Sequence, residues 1–109
     1  MNDGELKILC REFRKGMLDR MSSKGKCAMV SWALQGFLSF SMKLETEVYE
    51  SDVGKWNHLW LRLPNGRVID CTADQFNKRG KRPKYPQVYI GKPLDIHDGG
   101  KLFERKGTR

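Results

Sequence analysis

Three residue types that together perform nucleophilic acyl chemistry stand in one order along the chain, as Cys27, His58 and Asp70. Cys27 follows a glycine-containing loop at 21–26 and opens a predicted helix, where the helix dipole and adjacent lysines lower the pKa of a thiol. A nearby imidazole would take the thiol proton, and a carboxylate on its other ring nitrogen would fix the tautomer. The pattern indicates a nucleophile, a base and an orienting acid.

The turn between two predicted strands, 56–63 and 67–70, decides whether the base and the acid meet. A two-residue hairpin loop would require Pro64 to donate a backbone N–H, which proline lacks. A three-residue loop instead starts at Pro64 as the second position of a type I turn and ends with Gly66 in the left-handed position of a bulge. The residue types therefore favour the three-residue loop.

This register gives the two faces of the hairpin different chemistry. Leucines and an isoleucine share one face, while His58, Trp60 and Asp70 share the other, because directly opposed residues point to the same side. In the shorter loop Asp70 would fall among the leucines, where an unpaired charge is costly. Turn chemistry and burial cost therefore both place His58 beside Asp70.

Two parts of this site stay open at the level of sequence. Asp74, four residues after Asp70, is an alternative orienting acid. The backbone N–H of Cys27 can donate to the oxyanion of a tetrahedral intermediate. Four residues are candidates for the second donor: Ser22, Ser23, Asn57 and the indole of Trp32.

The stretches GKCAMVSWALQGFL and WNHLWLRLPNGRVIDCTADQF resemble the transglutaminase-like branch of the papain-like cysteine hydrolases. The second carries the pattern H-x-W-x-x-x-x-x-G-x-x-x-D. The resemblance covers residues 22–77 and implies a minimal α+β core, a buried Cys-bearing helix packed on a small antiparallel sheet. It also implies a Cys27-His58-Asp70 triad that hydrolyses or transfers acyl groups at amides. Cys71 departs from the family pattern, which often has proline there, and is interpreted as a plain buried thiol or a redox-active one.

Periodicity and turn residues place the remaining elements. An amphipathic helix is predicted over 4–20 with Asp3 as its N-cap, and a helix that is apolar nearly all round over 27–39. Strands are predicted over 44–50, 56–63, 67–70 and 87–90, and a helical turn over 72–77. The expectation is one domain, 1–109, made of an N-terminal helix (1–21), a catalytic-like core (22–77) and a basic loop, short strand and partly ordered tail (78–109).

Size and composition exclude several classes of protein. The chain has 109 residues, a mass of 12.7 kDa and a net charge of +8, so a large multidomain enzyme is excluded. No apolar stretch approaches the roughly 20 residues that span a bilayer. The N-terminal residues lack a secretory core, and the three cysteines are an odd number, so a cytoplasmic, reducing location is expected.

The tryptophans, the remaining cysteines and the histidines are the other residues that could form a site. The tryptophans Trp60, Trp56 and Trp32 are expected to line a substrate cleft. A zinc site is disfavoured because the cysteines and histidines (Cys10, Cys27, Cys71, His58, His97) form no closely spaced pair. His97 is expected on the surface or in a loop, and no metal or other cofactor is expected.

The basic excess supports a second hypothesis from another functional class. A dense run of cations lies in one predicted loop: Lys78, Arg79, Lys81, Arg82 and Lys84. A solvated surface explains such a run, and so does an acidic partner. The alternative to an enzyme is thus a non-catalytic module on the same fold that binds nucleic acid or an acidic protein. If the protein is an enzyme, we expect a protein or peptide substrate, and the basic excess would suit an acidic one. No membrane is expected as a partner.

Overall fold

The computed structural model of the protein describes residues 1–104. Within that range, two α-helices lie against an antiparallel five-stranded sheet, as the predicted α+β class requires. The helices are α1 (Asp3–Leu18) and α2 (Cys27–Met42); the strands are β1 (Glu47–Val53), β2 (Trp56–Arg62), β3 (Val68–Asp70), β4 (Tyr89–Gly91) and β5 (Lys101–Leu102). The strand order is β4-β3-β2-β1-β5. Short 3-10 helices span Ala73–Phe76 and Asp95–His97.

Helix α1 begins one residue earlier than predicted, because Asn2 rather than Asp3 caps it. The Asn2 side chain accepts the backbone N–H of Glu5 at 2.8 Å, and the Glu5 carboxylate accepts the N–H of Asn2 at 3.0 Å. This reciprocal capping box satisfies two N–H groups that have no partner within the helix. The prediction that Asp3 is the cap was wrong by one position.

Helix α2 is longer than predicted and is not buried all round. Its inner side packs Val30, Leu34 and Leu38, each no more than 1% exposed, into the core cluster that also contains the leucines of β2. Its outer side leaves Met29 and Phe40 exposed, Phe40 by 79%. One sheet face needs only one side of the helix, so the apolar outer residues remain in solvent.

The hairpin between β2 and β3 has the predicted three-residue register. Leu61 pairs with Ile69, which places Leu63 opposite Arg67 at the turn. The N–H of Leu63 donates to the carbonyl of Arg67 at 2.8 Å, and the N–H of Gly66 donates back to Leu63 at 2.8 Å. Gly66 has a φ of 87°, the left-handed conformation expected at the bulge. The leucine face therefore meets the helices, and the His58 face points away from them.

Strand β1 lies three residues later than the predicted 44–50. It continues to Val53 because the connection to β2 is a tight two-residue turn, in which Gly54 has a φ of 61°. The predicted loop after residue 50 is thus mostly strand. As a consequence, Ser51 is the cross-strand partner of His58.

The C-terminal segment is more ordered than predicted as far as residue 104. Strand β5 pairs with β1, and a small second cluster forms around Ala73, Tyr85 and Ile96. This cluster and the second 3-10 helix cover the polar face of the sheet and remove it from solvent. The predicted tail includes residues 105–109, which lie outside the described residues.

Candidate active site

His58 and Asp70 meet on the covered polar face of the sheet. Nε2 of His58 lies 2.6 Å from Oδ2 of Asp70, and the two side chains are 0% and 1% exposed. The other carboxylate oxygen, Oδ1, accepts the backbone N–H of Thr72 at 3.0 Å and faces its hydroxyl at 3.5 Å. The structure brings together the base and the acid that the hairpin register predicted.

A second histidine completes the surroundings of Asp70 and was missed from the sequence. His97 is 2% exposed, and its Nε2 lies 2.8 Å from Oδ2 of Asp70. Its Nδ1 accepts the backbone N–H of Leu94 at 3.0 Å, so the ring hydrogen is on Nε2 and donates to Asp70. The expectation that His97 lies on the surface or in a loop was wrong, because the second 3-10 helix packs on β1 and directs the buried His97 ring to Asp70.

The hydrogen bonds around Asp70 fix its charge and that of His58. Burial disfavours the carboxylate, but hydrogen bonds from His58 and His97 outweigh it and lower the pKa of Asp70 to about 2. Burial would also lower the pKa of His58, but its hydrogen bonds to Asp70 and Cys27 raise it to about 9. At neutral pH the pair is therefore a carboxylate beside an imidazolium.

Cys27, the first residue of α2, interacts with the His58 side chain. Its Sγ is 3.8 Å from the carbonyl oxygen of Asn57, the residue before His58. Burial disfavours the thiolate, but hydrogen bonds with the His58 side chain and the Leu59 backbone lower the pKa of Cys27 below its ordinary value. The free N–H groups of the first helical turn act in the same direction.

The end of the β2–β3 pairing explains how a residue of α2 reaches the opposite sheet face. Regular pairing is limited to Leu61 with Ile69 and Arg62 with Val68, so the ladder stops before His58. The loop before α2 attaches to the first 3-10 helix instead, where the N–H of Gly25 donates to the side chain of Gln75 at 3.3 Å. The start of α2 thereby lies beside the end of β2 that has no pairing with β3.

Asp74, the alternative orienting acid, has a different partner. Arg14 of α1 binds its two carboxylate oxygens at 2.8 Å and 3.0 Å, and Ser23 donates to it at 2.8 Å. Arg14 also donates to the carbonyl of Cys71 at 2.8 Å. Asp74 thus ties α1 and the loop before α2 to the first 3-10 helix, and Asp70 holds the imidazole.

Two of the predicted candidates for the second oxyanion donor, Ser23 and Asn57, donate to other residues, and Ser22 and Trp32 have contacts of other kinds. The hydroxyl of Ser22 accepts the N–H of Lys24 at 3.1 Å, and that of Ser23 donates to Asp74. The side-chain amide of Asn57 donates to Glu50 at 2.8 Å. The ring of Trp32 packs edge-on against Phe103, with centroids 5.8 Å apart.

Gln75, which the sequence did not single out, places an amide beside the reacting pair. Its Nε2 lies 3.4 Å from Nδ1 of His58 and 3.1 Å from the hydroxyl of Thr72. Thr72 and Gln75 are three residues apart in a helical turn, so they lie on one side of it. That spacing was the available signal, once the turn at 72–77 was predicted.

The three tryptophans lie in different surroundings. Trp60 is 3% exposed, donates its indole N–H to Ser51 at 3.0 Å and packs edge-on against His97, so it lies in the interior and not at the surface of a cleft, contrary to expectation. Trp32 is half-buried at the edge of the main core. Trp56 is 66% exposed and lines a cavity of about 130 Å³ together with Gly25 and Gln75. Of the three tryptophans, Trp56 alone is exposed.

The donor atoms of His58, Asp70 and His97 lie within 4.8 Å of one another, a spacing that a metal ion requires. Their hydrogen bonds fit another role. Both imidazoles bond directly to one carboxylate oxygen, and Nδ1 of His97 accepts a backbone N–H. A metal-binding histidine usually donates its second nitrogen's hydrogen, so the arrangement is that of a hydrogen-bond network.

Cys71 is buried beside Cys10 in the main core, 4% and 0% exposed. The hydrogen bond with Cys10 and burial together raise the pKa of the Cys71 thiol well above its ordinary value. A protonated, enclosed thiol is unreactive. Of the cysteines, Cys27 has the surroundings of a nucleophile.

The predicted basic loop is exposed at all five of its cations: Lys78, Arg79, Lys81, Arg82 and Lys84. Lys84 forms an ion pair with Asp95 at 2.7 Å.

In the described part of the chain, no helix combines the length and the apolar character needed to cross a membrane. Comparison of the chain with protein-family models, with curated proteins and with solved structures finds no match.

Proposed function

We propose that the protein is a cysteine-dependent amide hydrolase or acyltransferase with a papain-like, transglutaminase-like core. One observation carries the proposal: Asp70 binds the imidazole of His58 at 2.6 Å, and that imidazole lowers the pKa of the Cys27 thiol at the N-terminus of α2. At neutral pH Asp70 is a carboxylate and His58 an imidazolium, and the pKa of Cys27 is lowered toward the thiolate form that nucleophilic catalysis uses.

In the first step, the Cys27 thiolate attacks the carbonyl carbon of an amide or thioester. A C–S bond forms and the carbonyl oxygen takes the negative charge. When the tetrahedral intermediate collapses, the bond to the leaving group breaks. The His58 imidazolium gives its Nδ1 proton to the departing amine or thiolate, which leaves a thioester on Cys27 and a neutral imidazole.

In the second step, the neutral His58 accepts a proton from water or from an amine that attacks the thioester. The new C–O or C–N bond forms, the C–S bond breaks, and the thiolate–imidazolium pair is restored. Asp70 keeps its charge throughout and stabilises the imidazolium. Water yields a hydrolase and an amine yields a transferase, and the same side chains serve both.

The oxyanion in both steps needs hydrogen-bond donors. The N–H of Cys27 lies in the first turn of α2, where N–H groups have no partner within the helix. Gln75 supplies the second donor in this proposal, because its amide is held by Gly25 and Thr72 next to the imidazole. Loss of one such donor typically slows catalysis by about 10²–10³-fold.

The proposal is tested by trapping the acyl-enzyme. The native protein is mixed with peptide thioesters, quenched in acid and digested, and the acylated cysteine is identified by mass spectrometry. We expect acylation of Cys27 in the wild type, strong reduction in His58→Ala, and turnover of peptide amides that Cys27→Ala lacks. Gln75→Ala should slow acylation while the folded state is retained.

Added amine distinguishes the two reactions, since a transferase will form the new amide in preference to the free acid. Circular dichroism of each variant shows that the fold survives the substitution. Acylation distributed evenly over the three cysteines, or unchanged in His58→Ala, would overturn the proposal.

A further inference from the structure

A second concavity lies next to the candidate active site. It has a volume of about 440 Å³, a floor formed by Val53, Phe76 and Ile96, and walls formed by side chains of the basic loop. Four of its lining residues are cationic: Lys78, Lys81, Arg82 and Lys84. We call this concavity the basic groove.

The basic groove is connected to the site through Phe76. The Phe76 ring contacts His58 edge-on, with ring centroids 4.8 Å apart, and its other surroundings are the groove floor. Gln75, the preceding residue of the same 3-10 helix, lines the small cavity together with Gly25 of the loop that leads to Cys27. The groove and the site therefore lie on two sides of one helical turn.

The β1–β2 turn supplies a second connection. Val53 of the groove floor is the cross-strand partner of Trp56, and Trp56 lines the cavity beside Gly25 and Gln75. A ligand that extends from one cavity to the other would cross this short hairpin end. The same two elements thus shape both the groove and the approach to Cys27.

The charges of the groove are unbalanced. Its one acidic lining residue, Asp95, already binds Lys84 and the hydroxyl of Tyr85, both at 2.7 Å. Among the described residues, Lys78, Lys81 and Arg82 form no ion pair. Three unpaired cations around an apolar floor are complementary to a ligand that combines carboxylates with apolar side chains.

We propose that the basic groove binds an acidic, apolar-containing segment of the substrate polypeptide, adjacent to the acyl group that Cys27 attacks. The proposal rests on the proposed function for the identity of the neighbouring reaction. A peptide is favoured over nucleic acid because the floor presents aliphatic and aromatic side chains, and because the adjacent site is built for an amide carbonyl.

Binding is measured first in Cys27→Ala, so that no turnover intervenes. The probe is a fluorescein-labelled peptide of alternating glutamate and leucine, followed by fluorescence anisotropy at several salt concentrations. The comparison ligands are the same peptide with lysine in place of glutamate and a single-stranded oligothymidylate of matched charge. Reversal of the three unpaired cations (K78E, K81E, R82E) is compared with the same number of reversals on exposed sites elsewhere (R11E, K15E, R20E).

We expect the acidic peptide to bind, and the groove reversal to weaken binding by at least about tenfold while the remote reversal changes it by less than about threefold. The lysine peptide should not bind. Equal weakening by both triple variants would overturn the groove as the site, and tighter binding of the oligonucleotide than of the peptide would overturn the ligand class.

A second measurement tests the location beside the nucleophile. The acidic peptide should slow alkylation of Cys27 by iodoacetamide in the wild type, and it should not do so in the groove-reversed variant. Peptide binding that does not slow alkylation of Cys27 would contradict the location of the bound peptide beside Cys27. The anisotropy experiment uses Cys27→Ala, so it tests peptide binding to the groove without the nucleophile. The acyl-enzyme experiment tests the chemistry of Cys27, so the two proposals can fail independently.

Discussion

His97 donates its Nε2 hydrogen to Oδ2 of Asp70 at 2.8 Å, the oxygen that His58 also contacts, at 2.6 Å. The side chain of Asp70 therefore shares its charge between two imidazoles, one facing Cys27 and one fixed by the backbone of Leu94. We interpret His97 as a positioning residue that acts on His58 through Asp70.

Replacing His97 with phenylalanine keeps a ring at this position and removes its hydrogen bond to Asp70. We expect the free energy of unfolding to fall by about 1–3 kcal/mol, because a buried carboxylate loses a donor. The carboxylate charge is then concentrated on His58, so the pKa of His58 should rise further.

Two-dimensional NMR of the imidazole protons measures this titration directly, since the sequence contains two histidines and the variant retains one. Glutamine at position 97 keeps an N–H donor, so His97→Gln should show a smaller loss of stability and a smaller rise in the pKa of His58 than His97→Phe. A titration of His58 that is identical in wild type and His97→Phe would show that His97 has only a packing role.

Asp70 and Asp74 are distinguished by matched substitutions to asparagine. Asp70→Asn removes the charge that holds the imidazolium, so alkylation of Cys27 at pH 6 should slow by about tenfold or more. Asp74→Asn should lower stability by roughly 1–3 kcal/mol through loss of the Arg14 pair, with little effect on that rate. The opposite pattern would identify Asp74 as the orienting acid.

The pH dependence of stability follows from the same pair. The pKa of His58 is raised to about 9, so its stabilising contribution is complete below its ordinary value of roughly 6.5 and is lost as the pH rises through about 9. The pKa of Asp70 is lowered to about 2, so its contribution is present above roughly 3.9 and is lost as the pH falls toward about 2.

Urea unfolding between pH 3 and pH 10 checks this expectation when wild type is compared with His58→Gln. The difference in unfolding free energy between the two proteins should be largest between roughly pH 3.9 and pH 6.5, where both contributions are complete. It should shrink as the pH rises toward 10. A difference that stays constant from pH 6 to pH 10 would contradict a protonated His58.

Replacing two glycines with alanine should change the stability in opposite directions. A Cβ at Gly100 would overlap the buried Trp60 ring and lie 3.0 Å from the carbonyl of His97, so Gly100→Ala should destabilise by about 1–3 kcal/mol. Gly36 lies within α2, where an added methyl group would meet no atom of another element within 4 Å, so Gly36→Ala should stabilise by about 0.5–1 kcal/mol. Thermal unfolding of both variants is the measurement; equal effects would contradict the packing of the C-terminal segment on Trp60.

Local rules were sufficient to predict the hairpin and its register. Pro64 and Gly66 allow one kind of turn, and the turn fixes which side chains share a face, so the approach of His58 to Asp70 follows from residues close in sequence. The helix that presents Cys27 likewise follows from an apolar run after a glycine-containing loop.

Residues brought in by distant segments were beyond those rules. Asp74 remained an alternative to Asp70 until α1 supplied Arg14 as the partner of Asp74. His97 is separated from Asp70 by a basic loop and a short strand, and its sequence DIHDGG is typical of a turn. No periodic pattern predicts that such a turn packs on β1 and brings its histidine to Asp70.

The central claim is that Cys27 is held as a thiolate by His58. The most direct test is the rate of iodoacetamide alkylation at Cys27 between pH 4 and pH 10, mapped by mass spectrometry, with Cys10 and Cys71 as internal controls. We predict an apparent pKa for Cys27 well below the roughly 8.5 of a free thiol, and its return toward that value in His58→Ala. An apparent pKa equal to that of Cys27 in the urea-unfolded chain, unchanged in His58→Ala, would contradict the claim.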